Sequence, residues 1–338
     1  MTDNTLLQAS AIAHPNIALI KYWGKAPDTS TNEPAVSSLS ITLDTLQTET
    51  ELLFDDALQQ DELLLNGEPA PNKLPRISAN LDAMRSLAGV TTRCRITTSN
   101  NFPTGAGLAS SASGFAALVC AANAALTLDL QERQLSKLAR GMSGSAARSI
   151  FGGFSKIYLP NAVTEQAPYG NAYAEPIASA EHWPLEVCVG IASEQEKAIG
   201  STEGMESSRL SSPYYRAWLE GNDLDVCEAE QLVNQKDFEK LADLSEFSCL
   251  KMHAMALATR PGLLYWNGAT VDAMRCIREL RSSGVPVFFT VDAGPQIKAV
   301  CAPGFGARVA ESLQQVPGIQ RVLRCGLGAG ARLSDTSV

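Results

Sequence analysis

The stretch "FPTGAGLASSASGF" (102–115) carries almost no side chain: Gly, Ala, Ser and Thr fill ten of its fourteen positions. A hydrophobic core is not built from such residues, so something has to approach the backbone there. The alternation in "TRCRITTSN" (92–100) reads as a strand, and the alanine-rich run after the small residues reads as a helix to about residue 125. Strand, small-residue loop and helix form the layout of an anion cradle. Backbone N–H groups reach an oxyanion, and the helix N-terminus adds unpaired donors and its dipole. Ser110, Ser111 and Ser113 offer hydroxyls to a phosphate or a metal ion. No Gly-Lys-Ser/Thr follows the glycines, which excludes a Walker loop. The same composition suits a helix packed closely on a strand, and spacing alone leaves both readings open.

The rest of the chain narrows the field. Its 338 residues suit two domains, and 45% hydrophobic with 19% charged residues is the composition of a globular protein. A net charge of −9 argues against a nucleic-acid or anionic-membrane partner, although a basic pocket can sit in an acidic protein. The opening residues show no signal-peptide pattern, and the longest apolar run, 115–128, is too short to cross a bilayer. Eight cysteines without a CxxC pair read as reduced core thiols of a cytoplasmic protein, and three scattered histidines argue against a zinc site.

Residues 37–54 read as strands, and 75–89 as a helix with Ile77, Leu81, Met84 and Leu87 on one face and Gly89 as its stop. A second helix is expected over 129–144. Pro, Ala and Gly between 160 and 184 mark a junction, and "LEVCVGIAS" (185–193) opens a second unit. Helices are expected near 212–234, 236–258 and 266–283, a strand over 285–294, a helix after Pro295 and a last strand near 320–328. Strands and helices mix in both halves, giving an α+β (α/β) expectation.

Three further stretches carry chemistry. "HPNIALIKYWGK" (14–25) sets Lys21 and Lys25 around Tyr22 and Trp23; on a strand Lys21 and Trp23 would share one face. "SGSAARS" (143–149) offers hydroxyls and backbone donors at Ser143, Gly144 and Ser145, with the guanidinium fork of Arg148, a set suited to phosphate or diphosphate. "FFTVDAGPQ" (288–296) places Asp292 at the end of an apolar strand, where it can act as a base or orient a hydroxyl. Each stretch alone also fits a plain strand end, a capped turn or a turn aspartate.

Together, "NIALIKYWGK" (16–25), "SSLSITL" (37–43), "NNFPTGAGLASSASGFAAL" (100–118), "SGSAARSIFGGF" (143–154), "STEGM" (201–205) and "TVDAGP" (290–295) resemble the GHMP kinase superfamily. Within it they are similar to the diphosphomevalonate decarboxylases, with "KYWGK", "SGSAARS" and "DAGP" carrying the narrower likeness. The resemblance implies two GHMP-kinase domains, 1–184 and 185–338, with mixed sheets covered by helices and a cleft between them. It implies ATP with Mg²⁺, a homodimer, and conversion of 5-diphosphomevalonate to isopentenyl diphosphate and CO₂ in isoprenoid biosynthesis.

Carried over by position, Asp292 and Lys21 are the catalytic pair. Tyr22, Trp23, Lys25, Ser143, Gly144, Ser145, Arg148, Ser201 and Met205 hold substrate, and Pro103, Thr104, Gly105, Ala106, Gly107, Leu108, Ala109, Ser110 and Ser111 hold the nucleotide. No side chain is assigned as a metal ligand. Gly105, Val36 and Thr202 depart from the family's Ala, Asn and Arg, and the missing Arg bears on how many phosphates the substrate carries. The rival expectations are a phosphomevalonate decarboxylase, a mevalonate 3-kinase-type enzyme, another GHMP kinase, and a non-catalytic binding protein on the same scaffold.

Overall fold

Thr48–Phe54 buries every second side chain, the period-two pattern of a strand with one face on a core. The structure is a computed structural model that describes residues 7–26, 32–102, 108–159, 171–195 and 197–334. The described chain opens with strands β1 (Gln8–Ala13), β2 (Asn16–Ile20), β3 (Ser38–Thr42), β4 (Thr48–Phe54), β5 (Glu62–Leu65) and β6 (Glu68–Pro69). Helix α1 (Leu74–Ala88) leads to β7 (Cys94–Asn100), followed by α2 (Ser110–Ala125), α3 (Glu132–Met142), β8 (Phe154–Tyr158) and β9 (Tyr173–Ala178). After β10 (Glu186–Ile191) come α4 (Ser201–Ser211), α5 (Tyr215–Gln235), α6 (Phe238–Leu257) and α7 (Gly268–Ser282). The hairpin β11 (Val287–Val291) and β12 (Ile297–Cys301), then α8 (Gly306–Gln314), β13 (Arg321–Cys325) and β14 (Arg332–Leu333), complete it.

The strands form three sheets, in the orders β14-β1-β4-β7-β5-β6, β2-β3-β8-β9 and β11-β12-β10-β13. Helix α2 lies on β1 and β4, and its buried alanines let the helix come close to the first sheet. The two four-stranded sheets share one apolar core. Ile17, Leu39 and Phe154 of one meet Val187, Phe288 and Val300 of the other, with α5 and α6 contributing Val226, Leu232 and Leu241. Packing is therefore continuous across residues 184–185, and β14 returns to the first sheet by pairing Leu333 with Ala11.

Two expectations are corrected. Residues after Pro295 form β12, not a helix: all of Ile297–Cys301 is buried between β10 and β11, so "IKAVC" has no exposed face to reveal its period. Helix α1 appears as expected, ended by Gly89 in the left-handed region (φ 69°), but Leu87 is 49% exposed. At about 100° per residue Leu87 lies roughly 80° off Ile77. The buried stripe runs instead through Leu81 and Met84 toward Arg85, which Asp61 pairs. All eight cysteines are free.

Candidate active site

Strand β2 ends at Ile20, where the Lys21 amide donates to Ser248 Oγ (3.0 Å), so residues 21–24 leave the expected strand. The Lys21 ammonium turns inward and donates to Asp292 Oδ1 at 2.5 Å. Asp292 follows β11 directly, and the neighbouring β12 supplies Lys298, whose Nζ lies 3.1 Å from Oδ2. The lysine side chains are 1% and 2% exposed, the aspartate 28%. Burial alone would raise the Asp292 carboxyl's pKa, but Lys21 and Lys298 outweigh it and hold the group well below the usual carboxylate range. A carboxylate held that way accepts hydrogen bonds and orients donors; it has little affinity for a proton.

The second wall is the short 3₁₀ turn Gly144–Ile150. Its Arg148 is buried, donating from Nε to Asn16 Oδ1 (3.1 Å) and from Nη1 to Ser38 Oγ. Burial lowers this guanidinium to about 10, against the pull of Tyr22 and Asp292, leaving it charged at neutral pH. The Tyr22 ring lies 6.0 Å from it, and burial pushes the Tyr22 hydroxyl up to about 12, so it remains a neutral donor. That hydroxyl has no hydrogen-bond partner among the described residues, and it occupies the space that a side chain at Gly144 would fill. Glycine is required there.

Helix α4 closes the third side. Lys25 reaches Thr202 Oγ1 (3.2 Å), and Lys197 donates to Ser201 Oγ (2.7 Å) and to the Ala293 carbonyl (3.2 Å). Trp23 is fixed by Ser208 Oγ (3.0 Å) and packs edge-on against Tyr265, in a cluster that also holds Met205. On the fourth side α2 begins after Ala109, itself in the left-handed region (φ 56°), with no side-chain cap among the described residues. The Ala112 N–H is taken by the Ala109 carbonyl (2.8 Å), and the Ser110 and Ser111 N–H groups are those the helix N-terminus offers a ligand.

These walls enclose a cleft of about 380 Å³. Tyr22, Trp23, Lys25, Ser143, Gly144, Ser145, Arg148, Ser201, Met205 and Asp292 all line it, together with Ala109, Ser110 and Ser111. Lys21 stands behind Asp292. Leu108 is buried in the core shared by the two small sheets, away from the cleft, and Ser113 is committed to Thr48 Oγ1 (2.6 Å). Pro103, Thr104, Gly105, Ala106 and Gly107 lie outside the described residues. Sequence reasoning missed Asn16, Arg76, Lys197 and Lys298. A lysine inside the apolar run "QIKAVC" was the one local signal, and it pointed only to an oddity. Among the described lining residues Asp292 is the single carboxylate, set against Lys25, Arg76, Arg148 and Lys197. The cleft is made for an anion of several charges.

An α+β fold of the GHMP-kinase type, with a cationic cleft around a lysine-clamped aspartate, defines an enzyme of small, highly charged substrates. Two family profiles match: a diphosphomevalonate decarboxylase-like N-terminal domain over residues 13–166 and a mevalonate 5-diphosphate decarboxylase C-terminal domain over 187–321. The chain therefore belongs to the diphosphomevalonate decarboxylase family. It is 35% identical to the diphosphomevalonate decarboxylase of Candida albicans over 86% of this chain and 83% of that one. The human enzyme of that name is 33% identical over 87% and 76%. Among solved structures, mevalonate diphosphate decarboxylase from Staphylococcus aureus superposes with a TM-score of 0.90 at 35% identity, covering 98% of this chain and 99% of that one. A structure described as MDDEF in complex with MVAPP, AMPPCP and magnesium gives 0.88 at 35% identity, covering 98% and 100%.

Proposed function

We propose that the protein converts 5-diphosphomevalonate and MgATP to isopentenyl diphosphate, CO₂, ADP and phosphate. The observation that carries this reading is one cleft that joins a clamped carboxylate, a half-buried Ser-Gly-Ser turn with its buried Arg148, and a helix N-terminus without a side-chain cap. A tertiary alcohol is a poor leaving group, so the γ-phosphoryl of ATP is first transferred to the 3-hydroxyl, with ADP departing and the hydroxyl proton passing to a phosphate oxygen. The C3–O bond then breaks, the electron pair of the carboxylate-bearing C–C bond becomes the new C=C bond, and the carboxylate leaves as CO₂. The positive charge developing at C3 needs a site already organised around it.

Asp292 accepts the 3-hydroxyl's hydrogen bond and aims its oxygen at the phosphoryl group; a loose phosphoryl-transfer transition state asks little of a base. Lys21 stands behind it, holding Oδ1 and adding positive charge at the reacting end. Ser143, Ser145 and Arg148, with Tyr22 and Lys25, bind the diphosphate and carboxylate, Trp23 and Met205 line the apolar part, and Ser201 at the start of α4 closes the cleft. The first turn of α2 takes the ATP phosphates. Among the described residues no trio of His, Cys, Asp and Glu could cage a metal, so Mg²⁺ would enter on those phosphates, with the Ser110 hydroxyl within the donor set. A second cavity of about 360 Å³ shares Arg76, Ser110 and Ser111 and is otherwise rich in Leu63, Ile96, Phe115 and Leu118, a surface suited to the nucleotide base.

The resemblance extends the reading to a cytoplasmic homodimer of two units, 1–184 and 185–338, and light scattering reads the oligomer directly. The deciding assay incubates the protein with MgATP and mevalonate bearing one or two phosphates, quantifying CO₂ and ADP together. Equal CO₂ and ADP from the diphosphate supports the reading. The same result from the monophosphate alone moves the substrate, and ADP without CO₂ leaves a 3-hydroxyl kinase.

A further inference from the structure

Lys298 stands outside every motif, yet it is one of the most deeply buried charges in the chain. In the β11–β12 hairpin it pairs in register with Thr290, two residues before Asp292. Phe288 and Val300 of the same hairpin face the apolar core shared by the two small sheets, and Thr290 Oγ1 donates to the Ala18 carbonyl of β2. An ammonium in such a place is costly, and a buried ion pair is commonly no more stable than apolar side chains of the same volume. Fold stability alone does not account for a lysine there. Its contact does: Lys298 Nζ holds Asp292 Oδ2, the oxygen that Lys21 leaves open.

We propose that Lys298 is a positioning residue for the reaction, fixing the plane of the Asp292 carboxylate through Oδ2. The inference rests on the reading of Asp292 given under the proposed function. With one ammonium on each oxygen, the carboxylate has no freedom to rotate about its last bond, and its remaining lone pairs point along the 28% of its surface that meets the cleft.

The other charged or titratable groups around Asp292 do not duplicate this role. Arg148 comes from the 3₁₀ turn and is engaged by Asn16 and Ser38. Lys197, before α4, is engaged by Ser201 and the Ala293 carbonyl. Cys249 and His253 of α6 bond to the Val291 carbonyl; burial raises the thiol and lowers the imidazole to about 3, so both are neutral at working pH.

The test is a double-mutant cycle of Lys298→Met and Asp292→Asn in the full chain, with kcat, KM and the pH profile measured from CO₂ release with MgATP and 5-diphosphomevalonate. For Lys298→Met alone, kcat falls about tenfold or more while KM for both substrates stays within about threefold. Losing one of the two nearby cations that hold the carboxyl down raises its pKa, so the acid limb of kcat moves to higher pH. In the Asp292→Asn background the Lys298 substitution has no further effect on kcat. Additive losses, or a kcat within about threefold of the parent with an unmoved acid limb, would overturn the proposal. Lys298→Gln, which keeps a donor for Oδ2 without the charge, serves if the methionine variant does not fold. Failure of both to fold assigns Lys298 to the fold and also overturns it. Full turnover by Asp292→Asn alone would sink the reading of Asp292, a result distinct from any of these.

Discussion

Asp61 and Asp292 are both held by cations, and they do opposite things. Asp61 sits at the start of the β5 region with a 0% exposed side chain, gripped by the Arg85 guanidinium through both oxygens and by the Cys94 amide (2.9 Å). Asp292 is held by two lysines, one per oxygen, with 28% of its side chain facing the cleft. An arginine fork and a backbone donor use up the lone pairs of Asp61, so that cluster staples α1 to the first sheet and has nothing left for a ligand. Point-charge ammoniums leave Asp292 with unused acceptor capacity aimed outward. Donor geometry and one open side separate a staple from a site.

The contrast breaks if substitutions at the two clusters have the same effect. The largest separation is expected from Lys21→Met, which removes the donor on Asp292 Oδ1: kcat should fall about 10²- to 10³-fold with the thermal midpoint little changed, read by CO₂ release and calorimetry. Asp61→Asn leaves the Arg85 charge with only its weaker partners and should cost about 3 kcal/mol of stability, while kcat of the folded enzyme stays near the parent's, read by denaturant unfolding.

That second loss depends on pH with a definite sign. Burial opposes the shift, but the Cys94 amide and Arg85 prevail, and the Asp61 carboxyl is held below its usual value. Its contribution is thus present above about pH 3.8 and fades as the pH falls through the lower folded-state value, so parent and variant curves converge in acid.

Two glycines sharpen the comparison at smaller scale. Gly144→Ala forces a Cβ onto the Tyr22 hydroxyl and should raise KM for the diphosphate substrate about tenfold, roughly 1.4 kcal/mol, with an overpacking loss of about 1 kcal/mol or more in stability. Gly89→Ala ends the helix that carries Arg85; open space surrounds it, so only its positive φ matters, at about 1 kcal/mol of stability and no change in turnover.

What the sequence revealed follows the same division. Groups whose chemistry is written in adjacent residues were legible: "KYWGK", "SGSAARS" and "DAGP" each bring several donors to one place, and the structure gathers Tyr22, Lys25, Ser143, Arg148 and Asp292 around one cleft. Arg76, Lys197 and Lys298 were not legible, because each is a lone cation in a stretch without other polar signals: Lys298 meets Asp292 only once the β11–β12 hairpin closes, and Lys197 and Arg76 reach the cleft only through tertiary packing. The fold shows the same limit. Alternation announced β4 and β7, and a 3.6-residue stripe announced α1, whereas β12, buried on both faces, offered no period to read. The expected phosphate hydroxyl of Ser113 belongs to a Thr48 contact that no local pattern encodes.

The central claim is that Asp292 acts on the reaction, while holding the substrate's charges falls to its neighbours. One preparation of Asp292→Asn should be titrated calorimetrically with 5-diphosphomevalonate and then assayed for CO₂ with MgATP. Removing the one carboxylate among the described lining residues exposes two buried ammoniums, so the account predicts binding at least as tight as the parent's and CO₂ release lower by about 10³-fold or more. Weakened binding with CO₂ release still above about a tenth of the parent's rate would contradict it, and would make Asp292 a binding group in a site whose chemistry lies elsewhere.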